Sequence, residues 1–205
     1  LNTFIEVPAT KQSFAQRKLV YGFGINDAQY FTQRKINGVR LMCPYYQKWV
    51  AMIERCYSER LHKTRPTYIG CSVCDEWRVF SNFKIWLSSK EWQGMDLDKD
   101  LLFPGNKIYS PEFCILIPAS INTLLIDCGS NKGNYPTGVS FHKSSGKYSA
   151  YCRTEGDQNW LGLFKTPELA SLAYREFKSK HIISIADRYK SNHQVYKALI
   201  IASML

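Results

Sequence analysis

The sequence predicts an α+β protein made of two modules joined by a short polar linker. Residues 95–125 read as strand, turn, strand and helix, and residues 138–178 as three short strands followed by a helix. Composition agrees: 205 residues, 45% hydrophobic and 21% charged, suffice for one or two small domains with cores of their own. No apolar run is long enough to span a bilayer, and the start of the chain has no signal-peptide pattern. A cytoplasmic location without membrane contact is therefore expected.

Residues 1–42 mix glycines, aromatics and turn residues without a clean period and read as an N-terminal extension. Its cations, Lys11, Arg17, Lys18, Arg34, Lys35 and Arg40, either track a phosphate backbone or form a solvated face. The first module is assigned to residues 43–129. From Pro44 to residue 57, Trp49, Met52, Ile53 and Cys56 recur at i, i+3, i+4 and i+7, which is the buried stripe of a helix, with Arg55 off it. Residues 58–66 read as a basic loop carrying His62, residues 68–73 as a short strand, and residues 75–87 as one amphipathic helix. That helix presents Trp77, Phe80, Phe83 and Trp86; Trp49 and Trp77 are core positions.

In the central stretch, Asp98 and Asp100 are two apart and share a face if the segment is a strand. Pro104, Gly105, Asn106 and Ser110-Pro111 mark turns, and residues 113–117 form a second strand that completes a hairpin. Pro118 suits the first turn of a helix whose stripe is Ile121, Leu124, Leu125 and Cys128, ending at Gly129. Asn122 lies on that helix. A strand carboxylate and a helix amide oxygen are hard ligands for Mg²⁺ or Mn²⁺, with phosphate and water completing the shell. The alternative is that Asp96, Asp98 and Asp100 only keep an exposed hairpin soluble.

The linker is Ser130 to Pro136, and the second module is assigned to residues 134–180. Two alternating runs flank Ser144-Ser145-Gly146, a turn falls at Glu155-Gly156-Asp157, and a third strand spans residues 160–164. Thr166-Pro167 opens a helix with Thr as N-cap; Leu169, Leu172, Ala173, Tyr174 and Phe177 form its sheet-facing stripe. Residues 181–205 read as a C-terminal helical segment with one stripe of Ile182, Ile185, Ala186 and Tyr189. A second stripe comprises Val195, Leu199, Ile200 and Met204. These stripes dock back on the protein or pair two chains as a homodimer.

The formal net charge of +10 is unevenly spread. Residues 1–42 hold six Lys/Arg against two acids and residues 134–180 seven against four, while residues 43–125 hold ten against nine. The positive excess lies outside the carboxylate-bearing module, as a metal-dependent enzyme acting on a polyanion requires; the alternative is a generally basic protein. Seven cysteines, an odd number, point to free thiols. A structural zinc at Cys43, Cys56, Cys71 and Cys74 is the other reading of four of them. The thirteen-residue gap between the first two, and the position of Cys56 on an apolar helix face, favour buried thiols.

W-V-A-M-I-E-R-C-Y, then Trp77, Phe80 and Phe83, then L-D-K-D and Y-S-P-E-F-C follow in an order that resembles the HNH (ββα-metal) homing endonucleases of phages with an AP2-type DNA-binding domain. The resemblance covers roughly residues 43–180. It implies a ββα-metal core with flanking helices, a divalent ion on Asp98 and Asn122, and catalytic roles around Lys99, Asp100 and Asn106. Lys99 stands where such enzymes carry a histidine base, and Phe113 where they carry an asparagine. A lysine base requires a strongly lowered pKa; His62, entering from outside, is another candidate.

The second module, with G-V-S-F…G-K-Y-S-A-Y-C-R…W-L-G-L-F-K-T-P-E-L-A, resembles an AP2 domain, a three-stranded antiparallel sheet plus helix that sets the sheet into the DNA major groove. The resemblance implies a DNA-facing set of Ser140, His142, Tyr148, Tyr151, Arg153 and Trp160, with Lys143 and Lys147 near phosphates. Ser140 and His142 replace arginines usual in plant members, which removes bidentate guanine readers. The expected function is a phage or mobile-element endonuclease that hydrolyses double-stranded DNA in the host cytoplasm. The alternatives are a non-catalytic DNA-binding protein on a degenerate HNH fold, and a virion or host-interaction protein.

Overall fold

The computed structural model describes residues 4–125, 134–154 and 156–204 and is a mixed α+β protein. It divides into two compact units, Leu1–Leu116 and Ile117–Leu205. Among the described residues no helix is long and apolar enough to cross a membrane.

The first unit contains what the sequence suggested was a separate extension. A short helix α1 (Lys11–Ala15) is capped by Thr10, whose hydroxyl accepts from Ser13 N at 3.2 Å. Arg17 then turns inward: its guanidinium donates to the carbonyls of Asn26, Ala28 and Tyr30 at 2.9, 2.7 and 3.1 Å. It locks a loop instead of tracking phosphates. β1 (Gln33–Ile36) and β2 (Val39–Met42) form an antiparallel hairpin closed by Asn37-Gly38. Both turn residues have positive φ (49° and 80°), the geometry a two-residue hairpin turn demands.

Helix α2 (Pro44–Tyr57) buries the expected stripe of Trp49, Met52, Ile53 and Cys56, together with Tyr46. Trp49 is fully buried, donates its indole N–H to Trp77 O at 2.7 Å, and lies so close to Gly24 that a Cβ there would stand 2.7 Å from the ring. The expected loop after α2 is instead helix α3 (Glu59–Thr64), because Ser58 caps it by accepting from Leu61 N at 3.2 Å. The expected strand over residues 68–73 contracts to β3 (Ser72–Val73), preceded by a 3₁₀ turn at Pro66–Tyr68.

The single helix expected over residues 75–87 is two, α4 (Asp75–Arg78) and α5 (Phe80–Ser88). Val79 between them is extended, because the flanking backbone pairs with Ile25: Ile25 N donates to Arg78 O (2.8 Å) and Phe80 N to Ile25 O (3.0 Å). Trp77, Phe80 and Phe83 are fully buried across this break.

β4 (Met95–Asp98) pairs with β6 (Ile115–Pro118), and β5 (Ile108–Tyr109) runs parallel to β3. The second strand of the expected hairpin starts two residues late, because Phe113 lies in a turn closed by Cys114 N to Ser110 O at 2.9 Å. Pro118 ends that strand and does not open the helix.

In the second unit α6 (Ala119–Leu125) buries Ile121. The expected positions of Cys128, the Gly129 stop and residues 130–133 of the linker lie outside the described residues. β7 (Val139–His142), β8 (Lys147–Thr154) and β9 (Asp157–Phe164) form an antiparallel sheet in that order. The register shifts between Ala150 and Tyr151, which face Gly162 and Trp160 and leave Leu161 as the extra residue. Helix α7 (Pro167–Ala186) is capped by Thr166, which accepts from Leu169 N at 3.3 Å, and runs past the expected module end at residue 180. Its tight seat on the sheet is at Gly138, where a Cβ would meet the Tyr174 ring at 2.3 Å.

The buried face of α7 is Ala170, Ile182, Ile185 and Ala186, whereas Leu169 and Leu172 of the expected stripe are exposed. Helix α8 (His193–Ser203) buries Val195, Ala198 and Leu199, and Ser179 donates to Ser203 O at 2.7 Å. The C-terminal segment thus docks on its own unit, with Met204 left outside.

Candidate metal loop and candidate nucleic-acid interface

β4 is held from one side by cations on α2. Lys48 donates to Met95 O and Arg55 to Leu97 O (3.3 Å), alternate carbonyls of the strand. Burial pulls the Lys48 pKa down, against the pull of the Asp96 carboxylate. The Arg55 guanidinium also lies over the Tyr68 ring, 5.7 Å from its centroid. Burial pushes the Tyr109 hydroxyl well above its ordinary pKa, opposed by the charge and hydrogen bond of Arg55. Neither cation was singled out from sequence. Their spacing of seven, two helical turns on one face off the apolar stripe, was the available signal.

Period-two alternation then sorts the charged residues. Leu97 and Lys99 point into the protein and are buried, while Asp96 and Asp98 share the other side of the strand. Asp100 lies past the strand end, so the expected Asp98/Asp100 strand pair is really Asp96/Asp98. Asp98 Oδ1 accepts from Asp100 N (3.0 Å) and Leu101 N (2.7 Å), so the carboxylate turns the chain out of β4. Burial lifts its pKa above the usual carboxylate range; the Leu101 N–H opposes this, and the Asp100 charge adds to it.

Lys99, expected at a phosphate or as a base, is 5% exposed. Its ammonium donates to Asp100 Oδ2 (2.9 Å) and Asn106 O (3.0 Å) and lies 5.8 Å from the Tyr109 ring centroid. Asn106, expected to be catalytic, donates to Lys99 O (2.7 Å) and Ile108 O (2.8 Å) and accepts from Ile108 N (3.2 Å). Both its amide hydrogens are engaged with backbone. Lys99 and Asn106 are the pin and the staple of the loop over residues 99–107. His62 does not supply a base here either: its Nε2 sits 2.9 Å from Arg55 O at the end of α2. Asp98 belongs to the first unit and Asn122 to α6 of the second.

Among the described residues no three His, Cys, Asp or Glu side chains are grouped to hold a metal ion. Cys43, Cys56, Cys71 and Cys74 are free, Cys43 Sγ lies 3.5 Å from Tyr30 Oη, and burial pushes the Cys56 thiol up to about 12.

In the second unit the sheet has one covered and one open face. β8 sends Ala150 and Cys152, both buried, to one side, and alternation sends Ser149, which is also buried, with Tyr151 and the exposed Arg153 to the other. Through the register, Ser140 joins Ser149 (hydroxyls 2.8 Å apart) and Trp160 joins Tyr151 (ring centroids 5.2 Å) on that open face. Trp160 is 51% exposed, and Arg153 and Gln158 are exposed. Gln158 was not anticipated, although its pairing with Arg153 follows from the hairpin.

Tyr148 departs from expectation. An even position on β8, it lies on the covered face, with its ring against Tyr135 and Phe141. His142 is tied to its own turn, Nδ1 lying 2.8 Å from Ser145 Oγ, and Lys143 and Lys147 are exposed beside it. Next to Ser140, Tyr151 and Arg153 opens a cleft of about 920 Å³ that also takes in Lys178 and Arg188; among its described lining residues there is no Asp or Glu.

Comparisons of the chain with protein-family models, with curated proteins and with solved structures find no match.

Proposed function

We propose that the protein binds double-stranded DNA through the open face of β7–β8–β9, in the manner of the AP2-type modules that its second module resembles. The observation that carries this reading is the clustering of Tyr151 with the exposed Arg153, Gln158 and Trp160 on one face of the sheet, flanked by the exposed Lys143 and Lys147. A two-stranded or three-stranded β surface with cations at its rim meets both needs of duplex binding: phosphate neutralisation and polar contact with base edges. Lys178 and Arg188 in the cleft beside it add to the positive field.

A second reading is favoured by Asp98. Its carboxylate is desolvated yet fixed by two backbone donors, so a cation beside it would offset the cost of burying its charge. On the HNH-like reading of the first module Asp98 would be a Mg²⁺ or Mn²⁺ ligand and the protein a DNA endonuclease. A divalent ion so placed stabilises negative charge on the scissile phosphate and leaving oxygen. Asp100 supports this site by holding Lys99, and Lys99 and Asn106 contribute by fixing the loop. No general base is assigned among the described residues, and solvent would take the proton of the attacking water.

The test is cleavage of supercoiled plasmid with Mg²⁺ or Mn²⁺ by the wild type and by Asp98→Ala, with DNA binding measured on the same samples. Metal-dependent cutting lost in the variant, with binding kept, establishes the nuclease. Tight salt-sensitive binding by both with cutting by neither leaves a non-catalytic DNA-binding protein. Absence of binding by both rejects the whole reading.

A further inference from the structure

The β1–β2 hairpin has no place in the site described so far, and its construction is unusual for a structural element. Residues 35–40 are all exposed, so neither face of the distal ribbon is covered by the rest of the unit. A lone two-stranded ribbon is marginal in water, yet this one has local devices to hold its shape: the Asn37-Gly38 turn and the cross-strand pair Ile36/Val39 at its end. Arg40 adds a third by donating from Nε to Gln33 Oε1 at 3.1 Å across the strands.

The register separates its two faces. Lys35 and Arg40 lie on one with Gln33; Arg34, Ile36, Val39 and Leu41 lie on the other. At the tip, Ile36 and Val39 are 40% and 57% exposed. Residues 33–42 contain three cations and no acid.

We propose that this hairpin is a DNA-binding arm that enters the major groove of duplex DNA, a second contact separate from the β7–β9 sheet. The inference rests on the duplex-DNA reading above. The major groove, about 12 Å wide, admits a two-stranded ribbon, and four residues per strand give an arm about 13 Å long, enough to reach the groove floor. Arg34, Lys35 and Arg40 then meet phosphates at the groove walls, and the Ile36/Val39 tip meets base edges, where thymine methyl groups offer apolar contact. Pairing with a second copy through the same apolar face would bring two arms of like charge together. The charge pattern selects a polyanion instead.

The experiment compares the full chain with the Arg34→Gln/Lys35→Gln/Arg40→Gln variant on a 30-base-pair duplex across a range of salt. Losing three phosphate contacts should flatten the slope of log K against log salt by about 2 to 3 and lower affinity at least tenfold at 0.1 M salt, with the melting temperature unchanged. An unchanged slope in the variant, with the wild type binding, overturns the arm and leaves the sheet reading standing. A wild type without salt-sensitive affinity overturns the DNA reading and the arm with it.

Groove choice is read separately from Val39→Cys, tested for disulfide formation with duplexes tethering a thiol at cytosine N4 in the major groove or guanine N2 in the minor groove. Crosslinking above the wild-type background with the N4 tether is expected. Crosslinking with the N2 tether alone, or with neither while DNA is bound, overturns the major-groove placement.

Discussion

The loop after β4 and the open face of the β7–β9 sheet are both rich in polar side chains, but they use them in opposite ways. In the loop, Asp98, Lys99 and Asn106 turn their hydrogen-bonding capacity on the backbone and on one another, and Lys99 is buried while doing so. On the sheet, Arg153, Gln158 and Trp160 stand out from the surface, and the hydrogen bonds of the face are concentrated in the Ser140/Ser149 pair. A buried polar group without a partner costs more than its hydrogen bond returns, so a loop of this kind must satisfy itself before it can serve a ligand. An exposed group has water as its partner and can exchange it for DNA. The difference separates residues that shape a site from residues available to contact a partner.

The largest effect that could break this contrast concerns the open face. Arg153→Ala and Trp160→Ala combined should weaken duplex binding by about a hundredfold or more, taking 1–3 kcal/mol for each lost contact. Unfolding stability should stay within about 0.5 kcal/mol, because both positions are exposed. Binding titrations beside chemical denaturation check both halves. Loss of stability without loss of binding would make the face a structural cover.

The next effect runs the other way. Asn106→Ala removes two donors and one acceptor from the loop backbone and should cost about 2 kcal/mol of stability in the first unit. DNA affinity of the second unit's sheet should not change. Asp100→Asn is milder, about 1 kcal/mol. Its carboxylate is 48% exposed, so solvent screens much of the ion pair, but the replacement removes the carboxylate that accepts from the buried Lys99 ammonium. Equilibrium denaturation resolves the order of the two; a larger loss from Asp100→Asn would mean that the pin, not the staple, holds the loop.

Much of this contrast could be read in the sequence, and the misses have physical causes. The α2 stripe is buried as its spacing requires, since four apolar residues on one face leave a helix little choice. Strand parity was also present for Lys99 and Tyr148. Lys99 is one residue from Asp98 and so faces the opposite side, and Tyr148 is of the other parity from Tyr151 and Arg153. Carrying motif positions over by likeness set that parity aside. Asn37-Gly38 signalled a hairpin, but the flanking residues lack apolar alternation because no core covers them. The break at Val79 had no local signal. It is imposed by Ile25, fifty-four residues away, whose backbone needs those hydrogen bonds. Unsatisfied backbone elsewhere in a chain overrides local periodicity, and single-sequence patterns do not contain that information.

The smallest effect sharpens the comparison at Asp98 itself, whose burial works against its charge. Burial raises the folded-state pKa above the unfolded value of about 3.9. Over the pH range between those two values the native state binds more protons than the unfolded state, so stability must fall as pH rises through the folded pKa. The stabilising contribution is complete below the unfolded pKa and gone above the folded one. Asp98→Asn keeps an Oδ1 acceptor for Asp100 N and Leu101 N but removes the titrating charge. Its melting temperature relative to wild type should therefore climb as pH rises from the unfolded pKa through the folded one, by a few degrees at most. Mg²⁺ at neutral pH should then raise the wild-type melting temperature and leave Asp98→Asn unmoved, since an ion binding only the folded carboxylate stabilises by mass action. Parallel pH profiles for the two proteins would show that the carboxylate is solvated after all. The loop would then differ from the sheet in hydrogen bonding but not in desolvation.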